Sequence, residues 1–328
     1  MRENLGRRSG FDGDDSDYVP RSNVVGIFLT TPQIFSKVAT NREGSKMTYL
    51  RHWRLSRSPF AVRANSRGMF TGGTIEEAMA RGEFLVEQGK RLGLVMGPSG
   101  VGKTTFLKHF CRTRNSRVPG EKLAIVDLRC ADRNLLANRI LDSLDPSPNT
   151  NQLFSQDCWT RIHDHLFAET AIGHRTVLLL DNLHDVHDDV YQAISQLWSS
   201  LNRWSMLLSV DDESIVNLPR WIIDQCELKI DLPSWDLGQT ADYFDFAQNQ
   251  AGGNGDIFNA QSITRIQELS DGIPRKIVQI AELALVAGAV RKSERVTSEL
   301  VDQVCDEFTV SLGGKFPTIL EDQRLNAG

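Results

Sequence analysis

Between residues 74 and 232, short apolar runs alternate with stretches of helical periodicity. Leu92–Met96 (LGLVM), Leu123–Leu128 (LAIVDL), Thr176–Leu180 (TVLLL) and Met206–Val210 (MLLSV) are too short for buried helices and too continuously apolar for strands with one wet face. Such runs predict strands covered on both sides, and Leu228–Leu232 reads as a fifth. Thr74–Arg91, Lys103–Arg112, Leu135–Leu144, Trp159–Glu169 and Tyr191–Asn202 predict the intervening helices. Thr74 is placed to cap the first, with Glu76 and Glu77 in the turn where the helix dipole favours acids. After Pro233 the strands stop. Leu237–Gln250, Ala260–Leu269, Arg275–Val290 and Ser298–Phe308 all carry helical spacing. The pattern predicts a parallel five-stranded α/β sheet flanked by helices, then a small all-helical unit, with the boundary near Pro233–Ser234.

The junction of the first strand with its helix holds the chemistry. Gly97-Pro98-Ser99-Gly100-Val101-Gly102-Lys103-Thr104 is a full G-x-x-x-x-G-K-[ST] match, followed by Thr105. Between a strand and a helix this spacing predicts a phosphate-binding P-loop. The glycines let backbone N–H groups turn inward around phosphate oxygens, and the helix N-terminus adds its positive dipole end. Lys103 is expected to reach the β and γ phosphates, and the Thr104 hydroxyl to ligate Mg²⁺.

The strand Thr176–Leu180 runs into Asp181. A carboxylate there lies at the carboxyl edge of the sheet, where doubly wound folds bind ligands, and is expected to hold Mg²⁺. Lys103 and Asp181 are 78 positions apart, with Leu123–Leu128 between them. That leaves room for a strand inserted between the P-loop strand and the aspartate strand, an arrangement associated with ATP-hydrolysing machines. There is no Asn-Lys-x-Asp guanine-reading motif, so ATP is favoured over GTP. Ser270-Asp271-Gly272-Ile273-Pro274-Arg275 opens an apolar helix. Pro274 suits the first turn, whereas Arg275 opposes the dipole there and calls for an anionic partner, either a ligand or a nearby acid such as Asp271.

GPSGVGKT, LLLDNLHD and SDGIPRKI, in this order and spacing, resemble the AAA+ superfamily. The opening Met47-Thr48-Tyr49-Leu50-Arg51-His52-Trp53, followed by Ser58-Pro59-Phe60, is similar to the ExeA-like branch of general secretion pathway ATPases, which includes helpers of DNA transposition. The resemblance covers residues 47–310. It implies a nucleotide-binding unit over 47–233, a helical lid over 234–310, ATP as ligand, and Arg275 as the lid arginine at the γ-phosphate. It further implies a phosphate sensor on the fourth strand, Ser209 or Asp211. Arg220, before the fifth strand, reads either as a residue acting on a neighbouring subunit's nucleotide or as an ordinary surface arginine. The family usually has Asp-Glu where this chain has Asp181-Asn182. An amide cannot take the proton of the attacking water, so hydrolysis is expected to be slow, with Asp185 and His184 as partial substitutes. The implied function is a nucleotide-dependent switch or assembly factor that forms homo-oligomers when ATP-bound and acts on an unidentified protein partner.

Composition narrows the alternatives. The 328 residues are 40% hydrophobic and 24% charged, enough for one large or two smaller cores. The net charge of −5 excludes a molecule that binds polyanions over its whole surface, though not a local basic patch. Five arginines between Arg51 and Arg67 occur without an acid, interleaved with Trp53 and Phe60, and read either as phosphate contacts or as a strap packed by its aromatic residues. With Lys108, Arg112, Arg114 and Arg117 they motivate the alternative of an ATP-dependent DNA-binding regulator. Residues 1–46, with acids at Asp12, Asp14, Asp15 and Asp17, read as a tail, or else as an ordered hairpin, and 311–328 as a second tail. The five cysteines are single, which fits neither a disulfide framework nor zinc and suits a reducing, cytoplasmic compartment. No apolar run approaches the roughly 20 residues of a membrane helix; Ile277–Val290 is broken by Gln279 and Glu282.

Overall fold

The computed structural model describes residues 49–60, 70–144, 158–184, 186–200, 204–253 and 256–312. The expected tail 1–46, most of the tail 311–328, Arg63, Arg67 and Asp185 lie outside these residues. The chain runs α1 (Gly73–Glu87), β1 (Leu92–Gly97), α2 (Lys103–Arg117), β2 (Glu121–Asp127), α3 (Arg133–Leu144), α4 (Cys158–Ala171), β3 (Arg175–Asp181), α5 (Asp188–Ser200), β4 (Trp204–Asp211), α6 (Arg220–Gln225) and β5 (Leu228–Asp231). Then follow α7 (Leu237–Gln250), α8 (Ala260–Ser270), α9 (Pro274–Arg291) and α10 (Ser298–Leu312). The last helix runs through the expected domain end at residue 310.

The sheet has the order β2-β3-β4-β1-β5, and every pairing is parallel. Strand side chains alternate between faces, so a strand buried on both sides must be apolar throughout. On β3, Leu178 and Leu180 enter a core with α3, α4 and α5, whereas Val177 and Leu179 enter another with α1 and α2. Each fully buried leucine or valine contributes about 1.5–3 kcal/mol. The strand between the P-loop strand and the aspartate strand is β4, which follows them both in sequence. The earlier run Leu123–Leu128 belongs to β2, at the sheet edge.

Thr74 does not cap α1. Gly72 occupies the cap without a side-chain bond, and the Thr74 hydroxyl accepts a hydrogen bond from Gln239 Nε2 at 2.5 Å, tying α1 to α7. The helix stops at Glu87, short of Arg91, because Gly89 turns left-handed at φ +65°.

Helices α7–α10 enclose a third core. Segment 49–60, which the sequence reading placed with the nucleotide-binding unit, packs on these helices. Trp53 is buried and donates from Nε1 to Leu285 O at 2.8 Å. Its ring fills the space over Gly288, where an added Cβ would come within 2.7 Å. Phe60 meets Phe244 and Phe258 edge-on, and Ser56 Oγ donates to Ala251 O at 2.7 Å. The aromatic residues therefore act as a strap. Arg51, Arg54 and Arg57 stay exposed.

Candidate functional site

The site lies where the carboxyl ends of the strands meet the loop before α2. The register sets Asp127 beside Asp181 and Gly97 beside Asp211, which brings three carboxylates and the first P-loop glycine to one edge. Gly97 is irreplaceable on steric grounds: a Cβ there would lie 2.2 Å from Leu232 O. The loop Gly97–Gly102 ends on Gly102 in the left-handed region at φ 113°, and α2 begins with no side-chain cap. The first-turn N–H groups are thus left for an outside acceptor, and phosphate oxygens match them in charge and spacing.

Lys103 opens α2 and is 7% exposed. Its Nζ donates to Gly97 O at 2.6 Å and Pro98 O at 3.0 Å and pairs with Asp211 Oδ1 at 2.5 Å. The other Asp211 oxygen lies 3.4 Å from His184 Nε2. His184 Nδ1 is buried without a hydrogen-bond partner among the described residues. Thr104 Oγ1 donates to Asp181 Oδ2 at 2.7 Å, and Asp181 Oδ1 accepts from Ser209 Oγ at 2.5 Å. Ser209 Oγ in turn accepts from Asn182 N at 3.0 Å. The Thr104 hydroxyl and the buried Asp181 carboxylate are neighbouring hard oxygen donors, a set that suits a small divalent cation. Thr105 is exposed one position further on.

Asn182 adopts φ +63°, and its Nδ2 donates to Asp127 Oδ1 at 2.9 Å. Its side chain is therefore engaged with β2. Burial pulls the Asp127 carboxyl upward, but hydrogen bonds from the Arg129 side chain and backbone and from Asn182, with the Arg129 charge, outweigh this and hold it down at about 2.

The start of α9 sits against the P-loop. Arg275 N donates to Gly100 O at 3.2 Å, and a Cβ on Gly100 would lie 3.1 Å from Arg275 Cβ. Asp271 is taken by Lys276 at 3.0 Å. Arg275 is exposed and has no ion-pair partner among the described residues, so the nearby-acid explanation for it fails. Arg220 is likewise exposed, at the start of α6. Both readings of the fourth strand place a residue here: Ser209 binds Asp181, and Asp211 binds Lys103.

Residues 86–214 match the AAA domain family. Over that stretch, the chain is similar to AAA domains. It is 26% identical to General secretion pathway protein A of Aeromonas hydrophila over 270 residues, which is 76% of this chain and 46% of the relative. It thus spans about half the length of that relative. In fold, the chain is similar to the ORC2 protein of Aeropyrum pernix, in its ADPNP–ADP complexes (TM-score 0.58, 15% identity, covering 77% of this chain and 71% of that one). It is also similar to Cdc6p of Pyrobaculum aerophilum (TM-score 0.60, 14% identity, 76% and 70%). The P-loop NTPase architecture with its C-terminal helices is shared with both.

Lys103, Thr104, Asp181, Arg275 and the loop Gly97–Gly102, each marked by motif and spacing, lie together in space. Asp127 carries no such mark, and Asp211 only that of a sensor. Both end strands of the sheet, and the logic that singled out Asp181 applies equally to them. What the pattern lacked was strand order, which alone tells which ends are neighbours.

Proposed function

We propose that this AAA+ chain binds Mg-ATP and works as a nucleotide-dependent switch or assembly factor with slow turnover. One observation carries the reading: Lys103, the Thr104–Asp181 pair and the unpaired Arg275 converge from three separate elements on one glycine loop. In this reading Gly97, Pro98, Ser99, Gly100, Val101 and Gly102 wrap the phosphates. Lys103 meets the β and γ oxygens, and Arg275 meets the γ-phosphate from α9. Thr104 and Asp181 would hold Mg²⁺, which bridges phosphate oxygens and offsets their charge. Asn182 can position water by hydrogen bonding but offers no carboxylate, which supports slow hydrolysis and a long-lived ATP state. Arg220, exposed and unpaired among the described residues, suits contact with a second copy, so ATP-dependent homo-oligomers are part of the reading. A protein partner is recruited by the ATP-bound form. The five cysteines are free thiols and suit a cytoplasmic setting. Among the described residues no helix is long and apolar enough to cross a membrane.

Lys103→Ala tests the site. It removes the cation that meets the terminal phosphates, and nucleotide affinity should fall or turnover vanish in a folded protein. A folded Lys103→Ala protein with unchanged affinity and turnover rejects it. The DNA-regulator alternative keeps Arg51, Arg54 and Arg57, exposed on the helical unit, but loses Arg114, which is buried between Glu121 and Glu87. ATP-dependent, salt-sensitive DNA binding would favour it.

A further inference from the structure

We infer that Asp211 is a resident counter-ion of the P-loop lysine, and that it sets both how tightly this site takes a nucleotide and how many phosphates it prefers. This rests on the reading that the loop binds ATP. Lys103 does not wait in the loop as a bare cation. Its side chain is 7% exposed and its ammonium is bound on three sides, by two loop carbonyls and by Asp211 at 2.5 Å. A buried ammonium without a counter-charge would be strongly disfavoured, and Asp211 removes that penalty. The register fixes the contact, because β4 ends with Asp211 directly beside Gly97, the first residue of the loop. Asp181, the other acid nearby, is already committed to Thr104 and Ser209.

A phosphate reaching Lys103 must therefore exchange with Asp211. The exchange leaves that carboxylate, 19% exposed in its side chain, beside the incoming anion. His184 Nε2, 3.4 Å from the far oxygen, is the group left to receive it. The repulsion grows with phosphate charge, so a triphosphate suffers more than a diphosphate. It is also masked by a cation held at Thr104 and Asp181. Asp211 thus acts as a specificity-determining residue: it weakens ATP relative to ADP and makes triphosphate binding depend on Mg²⁺.

The test is isothermal titration calorimetry on the full chain with ATP and ADP, each with Mg²⁺ and with EDTA. Wild type, Asp211→Asn, Asp211→Ser, Lys103→Ala and the Lys103→Ala/Asp211→Asn double variant are compared. A unit charge removed from beside the phosphates should tighten ATP by at least about tenfold in the neutral variants. The gain should be smaller for ADP and largest for ATP in EDTA. It should be smaller in the Lys103→Ala background, where neutralising Asp211 removes its repulsion but no longer frees a lysine. Wild-type protein that binds ATP, with no gain in either neutral variant or a gain undiminished by Lys103→Ala, overturns the inference and leaves the ATP reading intact. Wild-type protein that binds no nucleotide under any condition overturns both. Failure of both neutral variants to fold would make Asp211 a fixed structural ion and overturn its role as an exchangeable one.

Discussion

Replacing Arg114 by methionine removes a guanidinium whose side chain is only 5% exposed. Arg114 Nε and Nη2 both donate to the Glu121 carboxylate, at 2.7–3.0 Å, and Nη1 donates to Glu87 at 3.1 Å. The two partners differ in burial, at 12% exposed for Glu121 and 61% for Glu87. Losing an exposed partner such as Glu87 matters little, on the order of 0–1 kcal/mol. Stranding a buried carboxylate is severe, about 3–5 kcal/mol, and the residual solvent contact of Glu121 places the expected loss near the lower end, about 3 kcal/mol. The assays are urea and thermal unfolding followed by tryptophan fluorescence, with the thermal midpoint expected to drop by roughly 6–12 °C. Arg114→Met/Glu121→Met should recover most of the loss, because an apolar pair of similar volume leaves no buried charge behind, only the exposed Glu87. The salt slope of any DNA binding should not move, since Arg114 does not face solvent. A single variant that loses less than about 1 kcal/mol, or a double variant no better than the single, would refute this account of the basic run.

Asn182→Glu restores the family pattern, and repulsion from Asp127 would drive the new carboxylate off β2 and toward the phosphate edge. Steady-state turnover should rise by about 10²- to 10⁴-fold at similar ATP affinity, and a fast wild type with no gain would reject the slow-switch reading. Trp53→Ala should destabilise the helical unit by about 3–5 kcal/mol, read as an early loss of its helical circular dichroism, because it empties the space over Gly288 and leaves Leu285 O without its donor. Full retention of stability would show that segment 49–60 is not part of that core.

The parts of the fold that were legible in the sequence share one property: their signal is local. The five strands, the four helices after Pro233 and the P-loop follow from contiguous apolar runs and one spaced motif. The element ends shifted where a polar residue still had a partner. β2 starts at Glu121 and β3 at Arg175 because those residues pair across the ladder. Three features depended on contacts distant in sequence and left no local trace. Trp53 reaches Leu285 across 232 positions and Thr74 reaches Gln239 across 165. The insertion of β4 between β1 and β3 decides which strand-end acids become neighbours. Arg114 looks like its basic neighbours in sequence, and only its place on the inner side of α2 separates it from Lys108 and Arg117, which are exposed.

The backbone bond between Gly100 and Arg275 gives α9 the mechanics of a lever arm. Its short end rests on the loop that would receive phosphate. Gly288, where Trp53 is seated, lies thirteen positions further along the same unbroken helix. At 1.5 Å per residue that is roughly 20 Å, so a tilt of about 10° at the loop would sweep the Trp53 seat by roughly 3 Å. No hinge residue interrupts the span between them; the glycine in α9 is at the seat itself. A displacement that begins as a change of partner at Lys103 would thus arrive, amplified, at the segment that leads back to the N-terminal end of the chain.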